Sequence, residues 1–234
     1  MYPAAYPHDQ IKNIFPGVFI VHGSIKMGPA MRMNRNMLIL QNGSDLSLIN
    51  PVRMDDKGLK VLDEMGKVKN ILRLGDFHGL DDEFYLARYQ CEFWAQSGQE
   101  SYKHPKPTVV ITSTTVSPFP NSEFFIFKTA MYPEAALFLP DYKLLITTDS
   151  IQYHADWHYF TWLTKVVFKF LGFKKGLNIG PPWVKRVTPK GVSMKQDFEA
   201  LMELDFDAVI AAHGKLLESG AKDLLSKELE RVFD

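Results

Sequence analysis

The chain has 234 residues, and its 27 lysine and arginine side chains balance 27 aspartate and glutamate side chains. This length fits one large domain or two small ones, and the zero net charge argues against a general nucleic-acid-binding protein. The single cysteine excludes an internal disulfide framework and a cysteine-only metal site, so a bound metal would need histidine and carboxylate ligands.

Short strands separated by turn signals are predicted in the first half of the chain. They are rich in β-branched and apolar residues and cover 18–25, 37–41, 46–49, 68–74 and 92–95. Asn42 and Gly43 predict a hairpin turn after the second strand. Asp55 or Asp56 can cap a helix that ends near Met65, and a second helix is predicted over 82–89.

The second half changes from strands to helices after Asp149. Strands are predicted over 108–116, 123–128, 135–139 and 143–147, the last two joined as a hairpin. Helices are predicted over 160–173, 194–204 and 221–233, with one buried strand at 207–212. This order predicts two sheets enclosed between helices.

Acidic and histidine side chains follow three of the predicted strands. The three clusters are Asp76 and His78 with Asp81 and Asp82, then Asp149, and finally His213. Asp76 and His78 are two residues apart, so an extended chain would direct both to one side, as two ligands of one ion require. Imidazole and carboxylate together suit zinc, iron or manganese better than calcium. Taken singly, each cluster is more often explained by ordinary turn and cap hydrogen bonds than by metal binding.

The same three segments resemble motifs of the metallo-β-lactamase superfamily. Residues 71–81 are similar to its metal-binding loop, residues 136–149 to the hairpin that leads to its metal-bridging aspartate, and 211–214 to its final histidine ligand. The order is the same, and the details are most similar to a small, divergent branch with a degenerate metal motif. The resemblance implies an α+β fold, a four-layer αββα sandwich, in one domain over residues 1–234 with a helical insert at about 152–190.

The departures from the superfamily pattern predict a reduced metal site. His78, Asp149 and His213 are kept, while Asp76 and Asp81 stand where the family has histidines. Two further ligands are missing. Leu80 replaces an aspartate, and no histidine occurs near residues 129–131. The resemblance therefore implies one metal ion with an open, water-filled position.

A metal-dependent hydrolase with a mononuclear site is the function that this resemblance implies. Its expected ligands are Asp76, His78, Asp149 and His213, and its expected catalytic residues are Asp81 and Asp149. One divalent ion, zinc, iron or manganese, would be bound, and the added carboxylates favour iron or manganese over zinc. The expected substrate is a small molecule with an ester, lactone or phosphoester bond. The alternative is a non-catalytic ligand- or partner-binding protein in which these side chains hydrogen-bond one another.

Three further residues, His154, His158 and Trp162, are predicted to contact substrate. On a helix, His154 and His158 would share a face. The apolar segment 160–173 contains two lysines, so it is too short and too charged to span a bilayer. It is either a helix packed on the body or acting as a lid, or an interfacial helix on a membrane or partner. The first eight residues lack signal-peptide features, so we expect a cytoplasmic protein, with a homodimer left open.

Overall fold

A computed structural model describes residues 2 and 4–233, so the expected domain limits, residues 1 and 234, lie outside the described part. The strands are β1 (Lys12–Phe15), β2 (Val18–Gly28), β3 (Met31–Asn42), β4 (Asp45–Ile49), β5 (Lys67–Arg73), β6 (Glu92–Ala95), β7 (Val109–Val110), β8 (Glu123–Ile126), β9 (Ala135–Leu139), β10 (Leu144–Thr147), β11 (Ile151–His154), β12 (Gly176–Ile179) and β13 (Ala208–Ala211). The helices are α1 (Asp56–Met65), α2 (Asp82–Tyr89), α3 (Trp162–Phe170), α4 (Pro181–Val187), α5 (Lys195–Met202) and α6 (Ala221–Phe233).

Two sheets form the centre of the molecule. The first holds β1 to β7 in chain order, antiparallel as far as β4 and parallel from β4 to β7. The second has the order β13-β10-β9-β8, with β10 and β13 parallel. The strands β11 and β12 form a separate antiparallel pair.

Alternating side chains of these strands divide the core into three layers. On β10, Leu144 and Ile146 face the layer between the two sheets, while Leu145 packs beneath the helices α4, α5 and α6. On β3, Leu38 and Leu40 join the same central layer, and Ile39 packs towards α1 and α2. Since successive strand residues point to opposite faces, both sheets are buried on both sides. The result is the predicted αββα sandwich.

Local sequence signals predicted many of the elements well. Asp55 caps α1 by accepting a hydrogen bond from the Gly58 backbone nitrogen at 2.8 Å. The strands β6 and β9 and the helix α6 have the predicted bounds. The strands β9 and β10 pair antiparallel, as the predicted hairpin requires, and the turn between them is a short 3₁₀ segment, Pro140–Tyr142.

The predicted strand over residues 108–116 is largely wrong, because only Val109 and Val110 are extended in the sheet. The hydroxyl of Thr115 donates to the Val110 carbonyl at 2.9 Å and accepts from the Thr112 backbone nitrogen at the same distance. Threonine hydroxyls that bond the local backbone compete with the strand ladder. They close this segment into a turn despite its β-forming composition.

The predicted change to helix directly after Asp149 is also wrong. The strand β11 comes first and pairs with β12, and α3 begins only after Thr161, whose side chain caps it. His154 therefore lies on a strand and His158 in a turn, so the two do not share a helical face. The segment 152–190, predicted as a helical insert, contains α3 and α4 together with most of this strand pair.

The helix α3 lies within the apolar segment 160–173. Among the described residues, no helix has the length and apolar character needed to cross a membrane.

Candidate metal centre

Three strand ends bring His78, Asp149 and His213 together. His78 lies in the loop after β5, Asp149 follows β10, and His213 follows β13. One donor atom from each side chain lies within 4.8 Å of the other two. His78 Nε2 is 3.0 Å from Asp149 Oδ2, and His213 Nε2 is 3.5 Å from Asp149 Oδ1. The ordered clusters in the sequence thus converge on one point of the fold.

The neutral form of His213 is fixed by its surroundings. Its Nδ1 lies 2.7 Å from the Asn34 carbonyl oxygen, which can only accept, so Nδ1 carries the proton. Burial lowers the pKa of His213 to about 4 despite the nearby Asp149. At neutral pH the Nε2 lone pair therefore faces a carboxylate oxygen, and two acceptors oppose each other. A cation between them would satisfy both.

Asp149 is held as an anion by its neighbours. Burial raises its pKa, but His78 and then His213 outweigh that effect and bring the pKa below its ordinary value. The Gln152 side-chain nitrogen donates to Asp149 Oδ1 at 3.1 Å and fixes the carboxylate plane. Asp149 is therefore ionised and oriented at neutral pH.

The donor set fits one ion. Ligands of a tetrahedral zinc site lie about 3.3 Å apart, given metal–ligand distances of 2.0–2.1 Å. The two contacts of Asp149, at 3.0 and 3.5 Å, are close to that spacing, although each is made by a different carboxylate oxygen. His213 also has the backbone hydrogen bond on its second nitrogen that is usual for metal-binding histidines. His78, Asp149 and His213 could hold a divalent ion with positions left for water or substrate.

Asp76 is not brought into this group. One carboxylate oxygen accepts from the Glu100 backbone nitrogen at 2.6 Å, and the other accepts from the Ser101 hydroxyl at 2.6 Å. These bonds tie the loop after β5 to the loop at 100–101. The prediction that Asp76 and His78 point the same way fails here because the chain turns between them.

Asp81 forms a buried ion pair with Arg35. Its Oδ2 accepts from Arg35 Nη1 at 2.8 Å and from the Arg53 backbone nitrogen at 3.1 Å. Both side chains of the Asp81–Arg35 pair are only 5% exposed. This position gives Asp81 a role in holding β3 against the loop before α2, and it does not support the predicted catalytic role.

An apolar pocket of about 370 Å³ opens beside the three donors. Asp149, Gln152 and His213 supply its polar wall. The remaining lining residues are Met27, Met33, Phe77, Phe168, Leu171, Phe173, Gly180, Pro182, Trp183 and Arg186. Arg186 lies over the Phe77 ring at 4.8 Å and is the one cation in this lining. The pocket suits a substrate with an apolar part close to the group that reacts.

The residues predicted to contact substrate do not line this pocket. Trp162 is 77% exposed at the start of α3, and His158 is exposed with its ring 3.3 Å from Asp9. His154 is buried behind Gln152, whose side-chain oxygen accepts from His154 Nε2 at 3.0 Å. Since Gln152 also bonds Asp149, it links His154 to the site.

The stability of the protein should depend on His154 as the pH falls. Burial lowers the pKa of His154 to about 3, against 6.5 in an unfolded chain. Between these values the unfolded chain binds a proton that the folded chain excludes, so stability is lost as the pH falls. In urea unfolding with chelator, we expect the wild type to lose about 2 to 3 kcal/mol more between pH 7.5 and 4.5 than His154→Gln. The exposed His104→Gln should follow the wild type, and parallel wild-type and His154→Gln profiles would contradict this expectation.

Sequence reasoning missed the residues that support the donors. Asn36 donates from its side chain to the Ala211 carbonyl at 2.7 Å, and the Asn34 side-chain oxygen accepts from the Gly214 backbone nitrogen at 2.9 Å. Both asparagines lie on β3, about 180 residues before the loop they hold. The sequence signal that could have found them is the polar run Asn34-Arg35-Asn36 directly before the apolar part of β3, because buried polar side chains need hydrogen-bond partners.

Glu134 is a second missed residue, located directly before β9. Its side chain is buried and accepts hydrogen bonds from the Thr148 hydroxyl and from the backbone nitrogens of Asp149, at 3.1 Å, and Ser150, at 3.0 Å. Burial and then the charge of Asp149 raise the pKa of Glu134 to about 8. It therefore fixes the turn that carries Asp149 while adding little negative charge to the site at neutral pH.

Histidine and aspartate donors thus lie at strand ends, on the edge of an αββα sandwich. Comparison with solved structures confirms the fold. VMB-1 at pH 5.5 matches with a TM-score of 0.69 and 12% identity over 94% of each chain. The metallo-β-lactamase FIM-1 from Pseudomonas aeruginosa, in a mono-zinc form, matches with a TM-score of 0.69 and 11% identity over 98% of this chain and 97% of that one.

A metallo-β-lactamase from Pontibacter korlensis matches with a TM-score of 0.66 and 14% identity, over 94% of this chain and 98% of that one. No protein-family model matches the sequence, and no curated protein matches it significantly. The likeness is thus one of fold. The chain has the metallo-β-lactamase fold, as the three ordered motifs implied.

Proposed function

We propose that this protein is a metal-dependent hydrolase with a single metal ion, acting on a small molecule with an ester, lactone or phosphoester bond. His78, Asp149 and His213 would hold the ion. The observation that carries this proposal is the convergence of these three donors at one point, where Asp149 and His213 also line an apolar pocket. A bound divalent ion would polarise a carbonyl or phosphoryl oxygen and lower the pKa of water.

The chain's own residues have separable tasks in this proposal. Gln152 and Asn34 orient Asp149 and His213, so the donor atoms need little rearrangement. Phe77 and Trp183 bury the apolar part of the substrate and exclude water from it. Arg186, held over the Phe77 ring, can pair with a negatively charged group of the substrate.

Zinc is favoured over harder ions by the donor set, although iron and manganese remain candidates. Two imidazoles and one carboxylate are a common zinc set in hydrolases. The preference for iron or manganese rested on added carboxylates, and Asp76 and Asp81 are bonded elsewhere. The mono-zinc form of FIM-1, on the same fold, supports a site for one zinc ion.

The test is a hydrolysis screen combined with metal analysis. Wild-type protein purified without chelator should contain close to one metal ion per chain and hydrolyse at least one ester, lactone, thioester or phosphodiester. Asp149→Ala should lose the metal and lower that activity by at least about 100-fold. The exposed Asp223→Ala on α6 is the matched control and should retain both. Substoichiometric metal in the wild type, or activity that persists in Asp149→Ala, would reject the proposal.

A non-catalytic binding protein is the second candidate, and one observation favours it. His78 and Gln152 already give each oxygen of Asp149 a hydrogen-bond partner from the chain itself. On this hypothesis the pocket binds an apolar ligand without metal. Asp149→Ala would then leave ligand binding intact, while Trp183→Ala would abolish it. Wild-type hydrolysis that Asp149→Ala loses would exclude this candidate.

A further inference from the structure

The helix α3 leaves a stripe of large apolar side chains without a partner in the described structure. Trp162 is 77% exposed and Phe170 is 89% exposed. The half-buried Val166 lies between them at a spacing of four residues, so the three side chains lie on one side of the helix. Two exposed aromatic side chains on one helical stripe are unusual for a surface that meets only water.

The opposite side of α3 accounts for its attachment to the protein. Thr164 and Phe168 are its buried residues, and Phe168 packs with Met33, Phe160 and Phe173. Successive helix residues differ by about 100° around the axis, so this buried side points away from Val166. The apolar stripe is therefore not needed to hold α3 in place.

A lysine-lined cleft lies next to the stripe. It has a volume of about 330 Å³, and its lining residues are Trp157, Lys165, Lys169, Phe173, Lys174 and Lys175. Residues 157–175 contain these four lysines and no carboxylate. Lys174 pairs with Glu228 at 2.5 Å, but among the described residues no carboxylate pairs with the other three. In a chain with zero net charge this is a local excess of positive charge.

We propose that α3 docks this protein on an anionic lipid bilayer. Trp162, Val166 and Phe170 insert at the level of the headgroups, and the lysine cleft receives lipid phosphate groups. An aromatic and aliphatic stripe beside lysines is the pattern of a helix that lies in a membrane interface. Each lysine near such a surface strengthens binding by about 5-fold.

A second copy of this chain fits the surface less well. In a two-fold dimer the same patch meets itself, so the unpaired lysines of one copy would face those of the other. An anionic bilayer instead supplies the opposite charge to every lysine. The charge of the surface at α3 therefore favours an anionic bilayer over a second copy of the chain as its partner.

Docking by α3 would bring the mouth of the apolar pocket close to the lipid. Leu171 follows α3 directly, and both Leu171 and Met27 line the pocket while remaining about half exposed. An apolar substrate could pass from the bilayer to the pocket with little exposure to water. The docking itself requires neither metal nor catalysis, so it can be tested separately from the proposed hydrolase activity.

The experiment is vesicle flotation with the full chain. Wild-type protein should float with vesicles of phosphatidylcholine containing 30% phosphatidylserine, and should not float with phosphatidylcholine alone. Trp162→Ala/Phe170→Ala should weaken binding by more than about 10-fold. Lys165→Glu/Lys169→Glu should weaken it by at least about 30-fold, because two attractive charges become repulsive, and 0.5 M salt should weaken wild-type binding.

Matched controls separate the surface from general effects. Val116→Ala/Met131→Ala removes two exposed apolar side chains elsewhere, and Lys57→Glu/Lys60→Glu makes the same charge change on α1. Both should bind as the wild type does, and thermal unfolding checks that all variants are folded. Equal binding to neutral vesicles, or no binding, would overturn the proposal. A wild-type dimer that Trp162→Ala/Phe170→Ala converts to a 26.8 kDa monomer, without vesicle binding, would assign the stripe to a second copy instead.

Discussion

Replacing Asp82 by alanine is expected to lower the free energy of unfolding by about 3 to 5 kcal/mol. Asp82 Oδ2 accepts from Arg73 Nε at 2.7 Å, and both side chains are fully buried. The guanidinium also donates to the Tyr102 carbonyl at 2.8 Å and lies 5.0 Å from the centre of the Phe93 ring. Without Asp82, this cation remains buried and loses its carboxylate partner.

Urea unfolding of metal-free protein measures this effect, and an exposed ion pair provides the control. Asp63 pairs with Arg88 at the same distance of 2.7 Å, but its side chain is 41% exposed. We expect Asp63→Ala to cost no more than about 1 kcal/mol. Similar losses in Asp63→Ala and Asp82→Ala would show that burial of the Arg73 pair contributes little. The double variant Arg73→Met/Asp82→Leu should lose less than Asp82→Ala, because it leaves no buried charge.

The sequence predicts the elements of this fold where local signals and burial agree. The helix α1 has an aspartate cap, apolar residues on one face and a glycine after its end. The strand β9 is apolar throughout because both of its faces are covered. Prediction fails where side-chain hydrogen bonds to the local backbone override the strand propensity. The hydroxyl of Thr115, for example, bonds the backbone at Val110 and Thr112 and closes a turn in a segment of β-forming composition.

The three donor residues of the site can be predicted from their positions after strand ends, while the residues that hydrogen-bond the donor loops cannot. Side chains after strand ends converge on one edge of a sandwich, and this rule found His78, Asp149 and His213. It also selected Asp76, because chain spacing cannot show that the loop at 100–101 takes up that carboxylate. Asn34 was missed for the same reason, since its partner is about 180 residues away. Long-range hydrogen bonds depend on the assembled fold and leave little local trace.

Close backbone packing around Asp149 leads to the second large effect. Gly180 lies between β12 and α4, and its backbone nitrogen donates to the Ser150 carbonyl at 3.2 Å. A Cβ atom on Gly180 would overlap the backbone carbonyl oxygen of Asp149 and lie in contact with Trp183. Both neighbours are fixed, because Asp149 is also held by Gln152 and Trp183 is buried. Gly180→Ala must therefore displace the turn that carries Asp149, the proposed carboxylate ligand.

We expect Gly180→Ala to lower metal affinity by about 100-fold and to cost about 1 to 3 kcal/mol of stability. Titration with zinc against a chromophoric chelator measures the first effect, and urea unfolding of the metal-free protein measures the second. Gly28→Ala is the matched control, because no atom lies within 4 Å of its added Cβ and its φ is not in the left-handed region. It should change neither quantity. Wild-type zinc affinity in Gly180→Ala would show that the position of Asp149 does not determine metal binding, and would remove Asp149 from the ligand set.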